Sequence, residues 1–165
     1  MPKALVQKLI SIQLVTLSSM TLSSAALAED ASFTLGMQLL APIELTLNNS
    51  LSFADTTSGQ DTVISTAPDN ANAVIFSATG EPNRAVTGSV VESSVLMTTG
   101  TGTTSDEQIT VDSFQTGGTM DASGQATFDG SGQLDDLRIG ASAHVESEDV
   151  PGAYSGNATF RLTYN

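Results

Sequence analysis

Apolar side chains alternate with polar ones through most of the chain after residue 30, and this pattern constrains the fold more than any other feature. A period of two places one set of side chains on a core face and the other in water, as in β-strands. The clearest runs are Phe33, Leu35, Met37 and Leu39 near the start, and Phe160, Leu162 and Tyr164 at the end. Helical spacing is hardly seen, and a parallel sheet needs crossover helices. The pattern therefore predicts an antiparallel all-β fold.

Turn-forming clusters of Gly, Pro, Asn, Asp and Ser separate the alternating segments, so the strand boundaries can be read from the sequence. Pro42 has no backbone N–H, and it should mark a bend or bulge in the first alternating segment. The predicted strands are residues 33–47 (interrupted at Pro42), 51–54, 62–66, 73–79, 85–91, 95–98, 108–115, 125–128, 141–146 and 158–164. Short strands in this number predict an antiparallel β-sandwich or barrel.

The first 28 residues have the layout of a secretory signal peptide. Lys3 and Lys8 give a positive start, an apolar stretch follows, and Ala26 and Ala28 stand at the two positions that a signal peptidase reads. Cleavage after Ala28 would start the mature chain at Glu29. The alternative is an uncleaved membrane anchor, although Gln13 and several serines interrupt the apolar run. We therefore expect a cleaved signal peptide at 1–28, an N-terminal strand at 29–40 and a sandwich domain at 41–165.

Charge and cysteine content exclude several classes of function. The chain has 18 acidic residues, five basic residues and no cysteine, and the mature part keeps only three arginines, for a net charge of −15. Nucleic acids and anionic membranes need a basic patch that this chain cannot build. Disulfides, thiolate catalysis and zinc–cysteine sites are excluded as well. We expect an exported protein that passes through the periplasm to the cell surface, a fimbrium or the medium, with no membrane insertion after cleavage.

A short repeat carries the best candidate for a metal site. Asp121-Ala122-Ser123-Gly124-Gln125 recurs as Asp129-Gly130-Ser131-Gly132-Gln133, and both copies suit a hairpin loop with a residue of positive φ. The alternative is a calcium loop, because calcium prefers hard oxygen ligands. Its ligands would include Asp129, Asp135 and Asp136, although the spacing lacks the order of an EF-hand. Calcium is thus the one cofactor considered, and no other is predicted.

Catalysis is not predicted for this chain. His144 is the only imidazole, and its alternating segment places it on a strand surface. Without Cys, and with both lysines in the signal peptide, a nucleophile would have to be a serine or threonine activated by this one histidine. We therefore expect no enzyme activity and no catalytic residues.

The two ends of the mature chain resemble the assembly strands of chaperone–usher pilins. Gly152 stands fourteenth from the end and Tyr164 next to last, and Phe160 and Leu162 alternate between them. In such pilins a periplasmic chaperone captures the alternating side chains of this strand. Phe33, Leu35, Met37 and Leu39 resemble a donor strand, the segment that one pilin lends to its neighbour. The alternative is a first strand that pairs inside its own domain.

A broader resemblance covers most of the mature chain. Its main pieces, in order, are Ala41-Pro42-Ile43-Glu44-Leu45, Gly80-Glu81-Pro82-Asn83, Met120-Asp121-Ala122-Ser123-Gly124 and Pro151-Gly152-Ala153-Tyr154-Ser155-Gly156. This order resembles an exported bacterial family, domain-of-unknown-function family 4402. The resemblance implies a pilin-like, immunoglobulin-like β-sandwich without established catalytic residues. The missing disulfide departs from chaperone–usher pilins.

These observations predict an exported structural or adhesive surface protein. The concrete form is a fimbrial subunit that assembles by strand donation, with like subunits, a periplasmic chaperone and an outer-membrane usher as partners. The alternative is a monomeric secreted or biofilm-matrix module that binds calcium or a glycan through its acidic loops.

Overall fold

The computed structural model describes residues 29–165, and these form nine β-strands and one short 3₁₀ turn, Ser105–Glu107. The strands are β1 (Glu44–Asn49), β2 (Thr62–Thr66), β3 (Val74–Thr79), β4 (Ala85–Val90), β5 (Val95–Thr98), β6 (Gln108–Gly118), β7 (Gln125–Thr127), β8 (Gln133–Val145) and β9 (Phe160–Tyr164). Gln38–Asn165 form a compact unit. The predicted signal peptide, including Ala26 and Ala28, lies outside the described residues.

The strands form two antiparallel sheets of unequal size. The larger sheet has the order β1-β3-β8-β6-β5, and β2 pairs with the second half of β8. The smaller sheet has only three strands, in the order β7-β4-β9. Val86 of β4 and Leu137 and Ile139 of β8 belong to one buried cluster, so the two sheets pack face to face. The predicted all-β antiparallel sandwich is confirmed.

Strand β8 is the centre of the larger sheet. Its 13 residues pair with β3 and then β2 along one edge, and with β6 along the other. Both of its edges are paired, and most side chains between Leu137 and Val145 are buried in one of two core clusters. A second buried cluster is built largely from this half of β8 and from β6: Ile109, Val111, Ala141, Ala143 and Val145.

In the first predicted strand, only the part from Glu44 onward is a strand. Two further strand predictions, both within the sandwich, were wrong, each for a physical reason. Residues 51–54 form no strand, although the Ser52 N–H donates to Asn72 O at 3.0 Å. Strand β8 begins at Gln133, eight residues before the predicted start. Its acidic residues Asp135 and Asp136 suggested a loop. They are tolerated in the strand because both are exposed, and Asp136, with φ of 59°, lies at an irregularity where β8 changes register with β3.

Candidate functional site

An apolar groove opens between the two sheets. It contains a cavity of about 240 Å³. A neighbouring cavity of about 490 Å³ shares Leu51, Phe53 and Met97 with it, so the groove is longer than either cavity. The first cavity is lined by strands of both sheets and by the segment before β9: Leu47, Ser50, Leu51, Phe53, Val74, Phe76, Val90, Val95, Met97, Val111, Phe114, Ile139, Gly156, Asn157, Ala158 and Phe160. Most of these side chains are apolar, as in a core.

Strand β9 contributes Phe160 to the lining of the groove, and its outer edge has no strand partner among residues 29–165. On the β4 side, the Val91 N–H donates to Thr159 O at 2.8 Å and the Asn165 N–H donates to Ala85 O at 3.1 Å. Residues in an antiparallel ladder alternate between hydrogen-bonded and non-hydrogen-bonded pairs. Thr159 and Asn165 thus direct their backbone groups towards β4, and so does every second residue between them. The remaining residues, Phe160, Leu162 and Tyr164, direct their N–H and C=O groups towards the free edge.

Side chains that line or border the groove are more exposed than core residues should be. Leu47 lines the cavity and is 55% exposed, whereas Val86 and Leu137 in the closed part of the sandwich are 0% exposed. Phe160, Leu162 and Tyr164 pack against the main core cluster but stay only partly buried. The Phe160 ring also stacks on Phe76, with centroids 4.9 Å apart. The sandwich is therefore open along β9, where one more strand could complete both its ladder and its core.

The segment predicted to be donated presents its apolar face to solvent. The exposed fractions of Phe33, Leu35, Met37 and Leu39 are between 81% and 90%. Residues 29–43 have no strand pairing within the described chain. These four apolar side chains are therefore not buried within the described chain.

Two glycines let the segment before β9 lie close to β5. A Cβ added at Gly152 would be 2.5 Å from Thr99 Oγ1, and one at Gly156 would be 2.6 Å from Leu96 O. Between them, Ser155 and Thr98 exchange backbone hydrogen bonds of 2.8 and 3.1 Å. Gly152 thus positions this segment beside β5, and it lines the second cavity of the groove. The sequence pattern alone groups Gly152 with the alternating residues of β9 as one assembly strand.

The repeated Asp–x–Ser–Gly–Gln segments form two equivalent turns on either side of β7. In the second copy, Asp129 Oδ1 accepts hydrogen bonds from the Ser131 N–H, the Ser131 hydroxyl and the Gln133 N–H, each at 2.8 Å. Asp121 makes the matching bonds in the first copy. The hydrogen bonds from Gln133 and Ser131 hold the pKa of Asp129 below its ordinary value. This carboxylate therefore has a structural role in its own turn.

The predicted calcium ligands are placed separately by the fold. Asp135 and Asp136 lie in β8, and Asp136 Oδ1 accepts a hydrogen bond from Arg138 Nε at 2.6 Å. Residues 29–165 contain no group of three or more His, Cys, Asp or Glu side chains that could hold a metal ion. Calcium binding at Asp129, Asp135 and Asp136 stays a prediction.

The single histidine lies in β8, as the sequence predicted. His144 Nε2 is 2.8 Å from Asp112 Oδ1 across the β6–β8 ladder, and both side chains are substantially exposed. The hydrogen bond from His144 lowers the pKa of Asp112. The long Thr/Gly loop after β5, by contrast, is organised by Glu107. Its carboxylate accepts hydrogen bonds from the Thr101 N–H, the Thr101 hydroxyl and the Thr103 N–H, an arrangement that the sequence did not reveal.

The fold and groove define the class of protein: an antiparallel β-sandwich domain with an unpaired edge strand beside an open core. The chain belongs to the family described as Domain of unknown function (DUF4402), which matches residues 43–164. The resemblance seen in the sequence is therefore confirmed. A comparison with curated proteins found no match, and a comparison with solved structures found none either. In the part of the chain that the structure describes, no helix has the length and apolar character needed to cross a membrane.

Proposed function

We propose that this protein is an exported structural or adhesive subunit that assembles by strand donation. Residues 33–39 of one copy would add a strand to the free edge of β9 in the next copy. The observation that carries the proposal is that one chain contains two complementary features. One is an open apolar groove beside an unpaired strand edge. The other is an alternating apolar segment that has no strand partner among the described residues.

The energetic reasoning follows from the groove. Backbone groups of Phe160, Leu162 and Tyr164 supply hydrogen bonds to an added strand, and alternating side chains supply register, as in other cases of strand addition. Full burial of each large apolar side chain contributes about 1.5–3 kcal/mol. The face from Phe33 to Leu39 has four such side chains, which is enough to offset part of the cost of association.

The acidic charge of the mature chain influences how copies meet. Copies that carry a net charge of −15 repel one another. Association must then depend on buried apolar surface and backbone pairing, and the groove offers both. A periplasmic chaperone would protect the groove in transit, and an outer-membrane usher would receive the subunits. The resulting polymer would stand at the cell surface and serve adhesion or biofilm formation.

A peptide of residues 29–40 tests the proposal directly. The acceptor is the mature chain with Leu35→Ser and Met37→Ser, termed the donor-dead chain, which keeps its groove but has lost two of the four side chains of its own apolar face. We expect the peptide to bind the donor-dead chain saturably in an anisotropy titration.

A matched pair of peptide variants separates donation from general stickiness. Leu35→Ala should weaken binding at least about tenfold, because it removes most of one buried side chain. Thr34→Ala, on the opposite face of the same strand, should change it less than about twofold. Equal losses for the two variants, or no binding at all, would show that the groove does not accept this segment.

A further inference from the structure

Residues 38–41 are held by a set of contacts that we term the clasp, formed by Gln38, Ala41, Glu81, Arg84 and Tyr164. The Ala41 N–H donates to Glu81 Oε2 at 3.1 Å, and Ala41 O accepts a hydrogen bond from the Tyr164 hydroxyl at 2.9 Å. The same hydroxyl accepts a hydrogen bond from the Glu81 N–H at 2.7 Å. Arg84 donates to Gln38 Oε1 at 3.0 Å. Both backbone groups of Ala41 are therefore occupied.

The contacts within the clasp are permitted by a close approach at Gly80. A Cβ at this position would be 2.5 Å from the Tyr164 hydroxyl and 2.7 Å from Phe128 Cζ. Any larger residue would displace the ring of Tyr164 or Phe128. Phe128 is 1% exposed, so it has little room to move. The tyrosine hydroxyl is thus fixed at the end of β9.

The clasp lies at one end of the groove. The last hydrogen bond between β4 and β9 joins Asn165 to Ala85, and Arg84 lies one residue beyond it. Leu39, between the two held residues Gln38 and Ala41, is 86% exposed, so this stretch of chain lies outside the groove. The cavity lies in the other direction, towards Phe160 and Gly156. The chain thus passes the end of its own groove between Gln38 and Ala41 without entering it.

A copy that filled its own groove would have to reverse direction before the clasp. Pro42 follows the clasp with a fixed φ and no N–H, so it adds a further restraint on that side. With Gln38 and Ala41 held, the reversal must fall at or before Met37, inside the apolar face. A turn there, for example at Gly36, would leave only Phe33 and Leu35 on the inserted strand. Half of the apolar face would be lost.

From this geometry we infer that the clasp prevents self-closure and commits the donated segment to a second copy of the chain. The inference rests on the proposed function. It adds the structural feature that decides whether the donated segment fills the groove of its own copy or the groove of another copy. Met37 directly precedes the held residue Gln38, so the junction between two subunits is short.

The test uses four full mature chains. Two keep Tyr164 and two carry Tyr164→Phe, and in each pair one chain has an intact donor segment and the other has the donor-dead substitutions. Light scattering after size-exclusion chromatography gives the monomer fraction. Binding of the peptide of residues 29–40 to the monomers reports whether their grooves are empty. Tyr164→Phe keeps the ring in the core and removes both hydrogen bonds of the hydroxyl.

With the clasp intact, the donor-intact chain should form polymers, and its remaining monomers should bind the peptide within about twofold of the donor-dead chain. Tyr164→Phe should raise the ratio of monomer to polymer about tenfold, since two hydrogen bonds that oppose closure are lost. Those monomers should bind the peptide weakly, because their own segment competes for the groove. Binding of the peptide to the donor-dead chain with Tyr164→Phe measures any direct effect of this substitution on the groove, so the comparison between the two Tyr164→Phe chains isolates the competition by the chain's own segment.

Two results would overturn the inference. One is that monomers of the donor-intact chain with Tyr164 do not bind the peptide, which would mean that self-closure occurs with the clasp in place. The other is a Tyr164→Phe chain that polymerises as the parent does, with Glu81→Ala giving the same result. Failure of the donor-dead chain with Tyr164 to bind the peptide would instead refute the proposed function.

Discussion

Two glycines in one turn offer a sharp test of the packing described above. Gly132 has φ of +77°, and a Cβ added there would be 2.3 Å from Gly80 O. Gly130, two residues earlier, is not among the residues of positive φ, and a Cβ added there meets nothing within 4 Å. The position of Gly130 is occupied by Ala122 in the first copy of the repeat. The chain therefore contains its own control for Gly132→Ala.

The magnitudes follow from these contacts. An alanine in the left-handed region costs about 1–2 kcal/mol. The clash with Gly80 O also displaces the hydrogen bond from the Gly80 N–H to Gly132 O, which has a length of 2.9 Å and a net value of about 0.5–1.5 kcal/mol. Gly132→Ala should therefore lower the free energy of unfolding by about 2–3 kcal/mol. Gly130→Ala should raise it by about 0.4–1 kcal/mol, because it restricts the unfolded chain.

Urea unfolding of the donor-dead chain, followed by far-ultraviolet circular dichroism, measures both variants. The slope of the free energy with urea should stay the same, so that the midpoints report stability alone. A Gly130→Ala variant that is destabilised as much as Gly132→Ala would refute the reasoning, because sterics at the turn would then not decide the outcome.

Three further predictions concern the core, the groove and acid stability. Leu137→Ala, at a fully buried position, should cost about 2–5 kcal/mol in urea unfolding. Leu162→Ala should lower the free energy of unfolding of the donor-dead chain by less than this. The loss should become larger when the peptide of residues 29–40 is bound. A loss that is the same with and without the peptide would contradict an open groove. Hydrogen bonds lower the pKa values of Asp121, Asp129 and Glu107 in the folded state. Their contribution to stability should be complete above the ordinary carboxylate pKa of about 4 and be lost as the pH falls through the lowered values, and Glu107→Gln should reduce this acid-dependent loss in urea unfolding between about pH 7 and pH 2.

Much of the candidate site could be anticipated because strand patterning is local. The alternation of Phe160, Leu162 and Tyr164 follows from the side-chain geometry of a single strand, and the sequence alone identifies it. The same holds for the exposed face that begins at Phe33. The mistaken start of β8 shows the limit of such reasoning. Asp135 and Asp136 disfavour a strand by composition, yet Gln133 and Leu134 before them pair with β3, and pairing with both β3 and β6 resumes at Leu137.

The sequence by itself determined the fold class, the family and the two alternating segments, residues 33–39 and 160–164, because each depends on neighbouring residues. Only the tertiary structure decided that the edge of β9 is unpaired within the described chain, that Asp129 organises its own turn, and that Tyr164 and Glu81 hold Ala41 at the end of the groove. These features join residues far apart in the chain, such as Ala41 and Tyr164. No local pattern specifies which distant backbone groups will meet, since that depends on how the two sheets pack.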